Sequence, residues 1–536
     1  MKRILTIASI LIFSVNAFGG GLLTNTNQSA QFIRMMSRNA STGIDAVYFN
    51  PAGLTTLENG WHFAINSQTI LQTKPVNSKF PLLNDGYYDG TVNVPVFPTG
   101  FAVYKMDQWA FSFGVGPNAG GGSAVYERGL PSFEIPVSKV VPGLAGLRQI
   151  NPGLDVTSYD VDIAFEGSSV FWGIQLGATY QVNDIFSLYG GVRYLPAKNT
   201  YVGDIKNIRL QVGEQYYPAP EWLTQTATQL QGMAANAGSV AGEIQPLITQ
   251  GAGELTLEQV QNAGYISEPQ RTAIEQGLTS LGATNPGAMN MNQIHQTFSG
   301  AQQQLSTAGN QLSGTAGLLG DKHVDTEQTG SGITPMIGVN ISPVENLNLA
   351  LKYEMKTSLS LENKPNANDN YSSQIFGDAV SNDLPAILGL GAGYTTGLLE
   401  AQLSYNMYFN KGVNWGANIR NTSIKREIDR NGMEIGVGLQ FNVLDNFAFS
   451  VGGLYGDQGV AESYQSDFSY SNPSVTAGAG IEWKITPAFK LDAGFSNTFY
   501  QDQTVTFTDP DAGNYSEVYE KTTLNFAIGL SYSIFK

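Results

Sequence analysis

The sequence predicts an all-β protein, a 14-stranded antiparallel transmembrane β-barrel with a helical insertion in one extracellular loop. Three observations predict it: long stretches of alternating apolar and polar residues, short turns that alternate with long polar connections, and a basic and then apolar leader. After the leader, no stretch approaches the roughly 20 apolar residues of a membrane-spanning helix. A barrel needs no such stretch, because its strands cross the membrane with one apolar face.

The leader has the organisation of a secretory signal peptide. Lys2 and Arg3 are basic, residues 4–15 are apolar, and small residues follow at Ala17 and Gly19. An apolar core of this length is too short to span a membrane as a helix. We therefore expect residues 1–19 to be a signal peptide, cut after Ala17 or Gly19.

Period-two alternation is the main evidence for strands. From Leu347 to Glu362, odd positions are apolar except Thr357, and even positions are polar or charged except Ala350. Fourteen such segments begin near Trp61, Val96, Trp109, Tyr159, Ile185, Gly332, Leu347, Asp383, Leu398, Met433, Phe447, Ser474, Phe489 and Lys521. Several exceed the roughly 9–11 residues that cross a membrane, whereas strands of a soluble β-sandwich usually have about 5–6. The pattern therefore favours a membrane barrel over a sandwich.

The connections between these segments differ at the two ends. Short turns are predicted at 106–108, 182–184, 343–345, 443–445 and 485–487, and long polar connections at 363–382, 411–431, 456–473 and 503–520. An even strand number with this asymmetry is typical of outer-membrane barrels of Gram-negative bacteria. The short turns would be periplasmic and the long loops extracellular.

The fourth segment changes its apolar face. Val161, Ile163 and Phe165 are apolar at odd positions, whereas over residues 170–180 the apolar side chains stand at even positions. Because a one-residue slip exchanges the two faces of a strand, we expect a bulge within residues 166–169. The alternative is two strands joined by a turn.

Residues 205–330 interrupt the alternation and predict a helical insertion in an extracellular loop. Helix starts and stops are marked by Pro220-Glu221, by capping boxes at Thr256/Gln259 and Ser267/Gln270, and by Gly264 and Gly282. The absence of charge over residues 276–320 would also fit low complexity and disorder. A folded cap is favoured because apolar helix faces could be built by Leu223, Leu230, Met233, Leu278, Leu281, Ile294, Phe298, Leu305 and Leu312.

Composition argues against several classes of function. The net charge of −16 does not suit a surface that binds nucleic acid. The chain has no cysteine, and its three histidines are far apart, so we predict no metal site, no cofactor and no catalytic residues. Glycines inside strands, such as Gly114, Gly116, Gly389 and Gly391, are expected to relieve crowding in the barrel. We therefore predict that the protein is not an enzyme.

The order of elements resembles the FadL family of outer-membrane transporters. A signal peptide is followed by about 40 residues without strands, by Asn50-Pro51-Ala52 and then by fourteen strands. Residues 180–188 are similar to that family's turn between its fourth and fifth strands, and Pro385 at the eighth strand is also similar. Members carry long-chain fatty acids and other hydrophobic compounds. The resemblance implies a barrel over 61–536 and an N-terminal hatch over 20–60, joined by the hinge YFNPAGLTTLENG.

The resemblance also implies a mechanism and a site. A hydrophobic molecule or fatty acid would enter an apolar lumenal pocket beside the hatch and leave sideways into the outer-membrane lipid through a gap beside an inward-kinked strand. The expected pocket residues are Phe32, Ile33, Met35, Met36 and Phe49, although plain packing of the hatch would use the same side chains. The expected contacts of a carboxylate head group are Lys198, Arg193 and Lys352.

Alternatives remain open both for the role of the lumenal cations and for the function. The inward-pointing cations could instead form an electrostatic ladder with Glu354 and Glu362. A surface adhesin would use the helical insertion to bind a partner, and a general porin would have an open, charged lumen. The N-terminal segment argues against an open porin. We expect a monomer in the outer membrane.

Overall fold

The computed structural model describes residues 24–413 and 427–535, so the expected signal peptide lies outside the described residues. The chain divides into two compact units. One unit contains residues 136–162 and 206–321, and the other contains the remaining described residues. Each unit has its own hydrophobic clusters.

Within the described residues the chain forms 21 strands. They are β1 Gly60–Thr73, β2 Val76–Ser78, β3 Tyr87–Tyr88, β4 Thr91–Met106, β5 Trp109–Tyr126, β6 Val156–Gln181, β7 Phe186–Val212, β8 Gln215–Pro218, β9 Lys322–Val344, β10 Leu347–Glu354, β11 Ser360–Pro365, β12 Ala379–Ser381, β13 Ile387–Thr395, β14 Leu399–Tyr408, β15 Gly432–Leu444, β16 Phe447–Asp457, β17 Ser474–Lys484, β18 Phe489–Tyr500, β19 Gln503–Asp509, β20 Gly513–Tyr519 and β21 Thr522–Phe535.

Fourteen of these described strands form a closed antiparallel barrel. Each pairs with its neighbour in the order β1, β4, β5, β6, β7, β9, β10, β13, β14, β15, β16, β17, β18 and β21. The ring closes where β21 pairs with β1, from Gly60 opposite Phe535 to Thr73 opposite Thr522. The predicted fourteen-stranded barrel is therefore confirmed, as are its five short turns. Strands β2, β3, β19 and β20 form a separate small sheet.

The alternation of each strand is set by its two environments. On β1 the exposed side chains are apolar, among them Trp61 and Ile65, whereas His62, Asn66 and Gln68 point into the lumen and are buried. A lipid-facing surface of apolar residues around a polar interior is the arrangement expected of an outer-membrane barrel. Among the described helices, none is long and apolar enough to cross a membrane.

The predicted bulge lies on the partner strand. Strand β6 is continuous, and Phe165 and Phe171 are both buried on the same side of it. The register shifts instead leave Asn118 and Gly121 of β5 unpaired opposite β6. The prediction of a bulge within β6 was therefore wrong. The apolar residues change sides because the surroundings of β6 change along its length, from the loops to lipid, while its side chains keep alternating without a break.

The seventh barrel strand is shorter than its alternation predicts. Strand β10 ends at Glu354, and the chain continues through a single bridge between Thr357 and Leu384 before β11 begins. Strand β13 begins at Ile387, after Pro385. Proline lacks the N–H that a central ladder position requires, so regular pairing starts only beyond it.

The helical insertion is folded. The described helices are α1 Ala30–Met35, α2 Ala46–Phe49, α3 Pro131–Ser138, α4 Val140–Leu144, α5 Leu147–Ile150, α6 Ala219–Leu247, α7 Leu257–Asn262, α8 Glu268–Ser280, α9 Met291–Leu318 and α10 Ser372–Phe376. Both predicted capping boxes are present, at Thr256 and Ser267, and a third begins at Asn290. Helices α6 and α9 pack along each other. Met233 is exposed, unlike most of the predicted apolar face.

Candidate functional site

The residues between Thr24 and the start of β1, here called the N-terminal segment, lie inside the barrel. The segment contains α1 and α2 and a 3-10 turn at Pro51–Thr56. Helix α1 is capped at its start by Ser29, whose Oγ accepts a hydrogen bond from the Phe32 N–H, and at its end by Met36, which has a φ of 58°. Asp, Asn and Ser are favoured at such helix starts because their side chains satisfy a free backbone N–H.

Arg34 fixes the segment to four barrel strands. Its Nε donates to Asp492 on β18 at 2.9 Å and its Nη2 to Glu482 on β17 at 2.9 Å. Its Nη1 donates to Gln440 on β15 and to Ser450 on β16 at 2.9 Å. All five side chains are buried. A buried guanidinium is tolerated when its donors are satisfied by charged and polar acceptors, as they are here.

A second arginine braces the segment from within. Arg38 forms a two-pronged ion pair with Asp45, with N–O distances of 2.7 and 2.8 Å, and reaches Glu400 on β14 at 3.3 Å. Burial alone would raise the pKa of Asp45, but the Arg38 guanidinium outweighs it and holds that pKa below its usual value. Asp45 is therefore ionised across the physiological range.

Glycines on the lumenal wall let the backbone of the segment lie directly on the strands. A Cβ at Gly452 of β16 would collide with the Met35 carbonyl, and one at Gly391 of β13 would collide with the backbone of Asn39. Any other residue at these positions would push the segment off the wall. The predicted role of strand glycines in relieving crowding agrees with this contact.

The Asn50-Pro51-Ala52 motif is attached to the opposite wall of the barrel by hydrogen bonds and packing. Asn50 Nδ2 donates to Asn340 of β9 at 2.7 Å, and the Pro51 carbonyl accepts from Thr179 of β6 at 2.7 Å. Ala52 is fully buried and packs against Tyr189 of β7. The motif therefore forms the first residues of a 3-10 turn that joins the segment to three strands.

Two of the three predicted head-group contacts belong to a closed network. Arg193 and Lys352 both form ion pairs with Glu354, at 2.6 and 2.8 Å. Lys352 also donates to the Tyr48 carbonyl at 2.6 Å, and both cations lie over the Tyr48 ring. This arrangement corresponds to the Glu354 part of the electrostatic ladder considered above, and it anchors Tyr48. Glu362 is exposed on β11 and pairs with Lys364 instead. The third predicted contact, Lys198, lies on the exposed face of β7 and pairs with Glu327.

A cavity of about 470 Å³ lies in the lumen beside the N-terminal segment. Of the predicted pocket residues, Phe32, Ile33 and Met36 line it. Met35 lies against the glycines of the lumenal wall instead, and Phe49 stacks on Phe32 with ring centroids 5.5 Å apart. The wall carries apolar side chains such as those of β4, but also many hydroxyl and amide groups. The cavity can therefore hold a molecule with both apolar and polar parts.

The wall beside this cavity contains an interrupted seam. Strands β4 and β5 pair at Val92 opposite Ala124 and again at Gly100 opposite Val115, but residues 93–99 and 116–123 do not pair with each other. We call these two unpaired stretches the seam. They contain Pro95, Pro98 and Pro117, and three successive glycines from Gly120 to Gly122.

The N-terminal segment contacts the β5 side of the seam. Thr24 bridges to Ala119, and Asn25 donates from its backbone to the Asn118 carbonyl at 2.9 Å. On the β4 side, Val94 and Phe97 are buried and line the cavity. One end of the segment, the cavity and the seam therefore meet at one place. Proline and glycine clusters within strands are a sequence signal for such a break.

Comparison with known proteins supports the fold. No protein-family model matches the sequence, and no curated protein matches it. The structure is similar to a crystal structure of a Pseudomonas aeruginosa FadL homologue, with a TM-score of 0.54 and 12% identity over 96% of this chain and 99% of that chain. It is also similar to the P. putida toluene transporter TodX, with a TM-score of 0.46 and 13% identity over 97% of this chain and 100% of that chain. The resemblance to the FadL family is thus confirmed at the level of the fold, on the first of these structures.

Proposed function

We propose that the protein is a passive outer-membrane uptake channel for hydrophobic molecules, such as long-chain fatty acids, in which the N-terminal segment acts as a hatch. The observation that carries the proposal is the meeting of the cavity with the seam between β4 and β5. A ligand in the cavity would contact Phe32, Ile33 and Met36 on one side and the seam residues on the other. Methionine suits the binding of varied apolar shapes.

The seam gives the ligand a route into lipid. Residues 93–99 and 116–123 lack mutual pairing at the place where Val94 and Phe97 line the cavity. Lateral exit there would keep an apolar ligand out of the periplasm. This matters because each CH₂ group exposed to water costs about 0.8 kcal/mol.

The hatch proposal rests on how firmly the N-terminal segment is held. Buried ion pairs join Arg34 to β17 and β18, and hydrogen bonds join Asn50 and Pro51 to β9 and β6. A segment attached to strands on several sides of the lumen obstructs an axial pore. This arrangement favours a hatch over the open lumen of a general porin.

Filling the seam tests the route. At Gly122, a Cβ would lie 2.6 Å from Val94 and 2.8 Å from Val92, so Gly122→Val would crowd the seam. Gly190→Val is the matched control, because a Cβ at Gly190 meets no atom within 4 Å. We expect Gly122→Val to slow the uptake of radiolabelled oleate and toluene by cells that lack their own transporter, while Gly190→Val takes them up normally.

Folding of both variants is checked by the electrophoretic mobility of the unheated barrel. Normal uptake by a correctly folded Gly122→Val protein would exclude exit through the seam. Failure of the unaltered protein to take up either probe would exclude the proposed function itself.

A further inference from the structure

Two lysines at the outer end of the cavity lack acidic partners. Lys74 follows β1 and Lys521 precedes β21, next to the paired residues Thr73 and Thr522, so the two lysines stand at the adjoining ends of neighbouring strands, and both line the cavity. Within residues 24–413 and 427–535, neither forms an ion pair, and each lies over a tyrosine ring at 5.0 and 4.7 Å. Two like charges side by side without a counter-ion favour an anionic ligand.

A tyrosine beside Lys74 has a free hydroxyl group. The Tyr126 side chain is only 2% exposed, lines the cavity, and its hydroxyl has no hydrogen-bond partner within the described part of the chain. Its ring packs against Gly90, whose carbonyl accepts a hydrogen bond from the backbone N–H of Lys74 at 2.6 Å. Buried polar groups normally find a partner, so this hydroxyl is available to a ligand.

A second unsatisfied group lines the same cavity. Asn382 is 2% exposed, and neither Nδ2 nor Oδ1 of its side chain has a hydrogen-bond partner among the described residues. A ligand that consisted only of an alkyl chain would leave this amide unpaired. A ligand with a polar substituent on its body would satisfy it.

Aromatic rings form the surrounding wall. Phe468 lies 5.3 Å from Phe165 and 5.7 Å from Tyr201, centroid to centroid, and all three rings line the cavity. Aromatic rings pack favourably against one another in offset or edge-to-face arrangements. A planar ring therefore fits this wall better than a flexible chain does.

We propose that the outer end of the cavity is a binding subsite for an aromatic carboxylic acid, whose carboxylate is held by Lys74, Lys521 and the Tyr126 hydroxyl. The aromatic body then lies among the rings of the wall, and Asn382 hydrogen-bonds to a polar ring substituent. This inference rests on the proposed uptake function and names the class of ligand that the cavity selects.

The subsite is tested by calorimetric titration of the protein in lipid nanodiscs. The probes are 3-(4-hydroxyphenyl)propionate, the neutral alcohol 3-(4-hydroxyphenyl)propanol, and an alkyl carboxylate of similar length. At about pH 6, where lysines are charged, we expect the aromatic acid to bind about tenfold more tightly than either other probe. Lys521→Gln and Tyr126→Phe should each remove most of the preference over the alcohol.

Lys364→Gln is the control, because Lys364 is exposed on β11 and does not line the cavity. Equal affinity for the acid and the alcohol, or unchanged preference in Lys521→Gln and Tyr126→Phe, would overturn the anion subsite. Equal affinity for the aromatic and alkyl acids would overturn the aromatic part alone. Either result is compatible with uptake of oleate and toluene, whereas loss of that uptake in the unaltered protein would overturn the proposed function.

Discussion

Arg34 of the N-terminal segment and Asp492 of β18 form an ion pair, 2.9 Å from Nε to Oδ1, in which both side chains are buried. Arg34 forms a second ion pair with Glu482 of β17, and Lys490 contacts both carboxylates. The segment and the barrel therefore share one charge cluster, so neither can be altered there without leaving buried charges in the other.

Removing the Arg34 side chain should destabilise the protein. Arg34→Met leaves the buried carboxylates of Asp492 and Glu482 without their buried guanidinium partner, and we expect a loss of about 3–5 kcal/mol in the free energy of unfolding in urea. Arg128→Met is the control, because its pair with Asp85 is half-exposed on both sides and should contribute only about 0–1 kcal/mol. Equal losses in the two variants would contradict the structural role of Arg34.

Two adjacent glycines on β16 test whether close contact of the N-terminal segment with the barrel wall keeps the lumen closed. Gly452→Ala would place a Cβ against the Met35 carbonyl, whereas the nearest atom to a Cβ at Gly453 is 3.7 Å away. We therefore expect Gly452→Ala to increase ion conductance in planar bilayers and Gly453→Ala to leave it unchanged. Similar conductance in both variants would show that the glycine contact does not control closure.

The Asn50-Pro51 pair should control the position of the hatch at its other end. Asn50→Ala with Pro51→Gly removes the hydrogen bond to Asn340 and frees the backbone at the start of the 3-10 turn. We expect increased leakage of small polar solutes or altered uptake. Unchanged conductance together with unchanged uptake would reduce the motif to a folding turn.

Binding of the aromatic acid should depend on pH through Lys74, which lies just beyond the outer end of β1. Burial, together with the nearby charge of Lys521, lowers the pKa of Lys74 to about 7. Because the anion binds the protonated amine, affinity should be full below that pKa and fall as the pH rises from about 6 to about 8. Lys74→Arg stays charged, so it should retain affinity without this dependence. A pH-independent affinity of the unaltered protein would refute the role of Lys74.

Deletion of residues 219–318 separates uptake from surface adhesion. The lining residues of the cavity lie outside this range, so we expect uptake of oleate and toluene to persist. Attachment of whole cells to a host-cell layer is the second measurement. Lost attachment with intact uptake would show that the helices bind a partner, and lost uptake by a folded deletion variant would show that they serve the transport route.

Most of the barrel could be predicted from the sequence, because lipid and lumen impose opposite polarities on successive residues. The same alternation misplaced the bulge, since Phe165 is buried by loops and Trp172 faces outward among lipid-facing residues on an unbroken β6. Alternation reports which side of a strand is apolar, but it does not report how the strand pairs. The interruption between β10 and β11 likewise depends on the bridge between Thr357 and Leu384, two residues that are distant in sequence.

The candidate site was only partly predictable. Phe32, Ile33 and Met36 line the cavity, as the resemblance to the FadL family implies for residues of the N-terminal segment. Lys74 and Lys521 were missed, because they become neighbours only through the pairing that closes the barrel. A search for cations that flank the first and last strands would have found them.

The glycines on the lumenal wall have a consequence for how the N-terminal segment is retained. Where Gly452 and Gly391 meet the N-terminal segment, backbone lies on backbone, and no side chain projects from the wall to interlock with it. Resistance to sliding along this strip therefore comes from side chains of the segment itself, such as the ion pairs of Arg34 and the hydrogen bonds of Ser37 and Asn39 to β14. Because these contacts reach several strands, loss of one of them leaves the others in place. The glycines set how closely the segment approaches the wall, and its own side chains set its position along the wall.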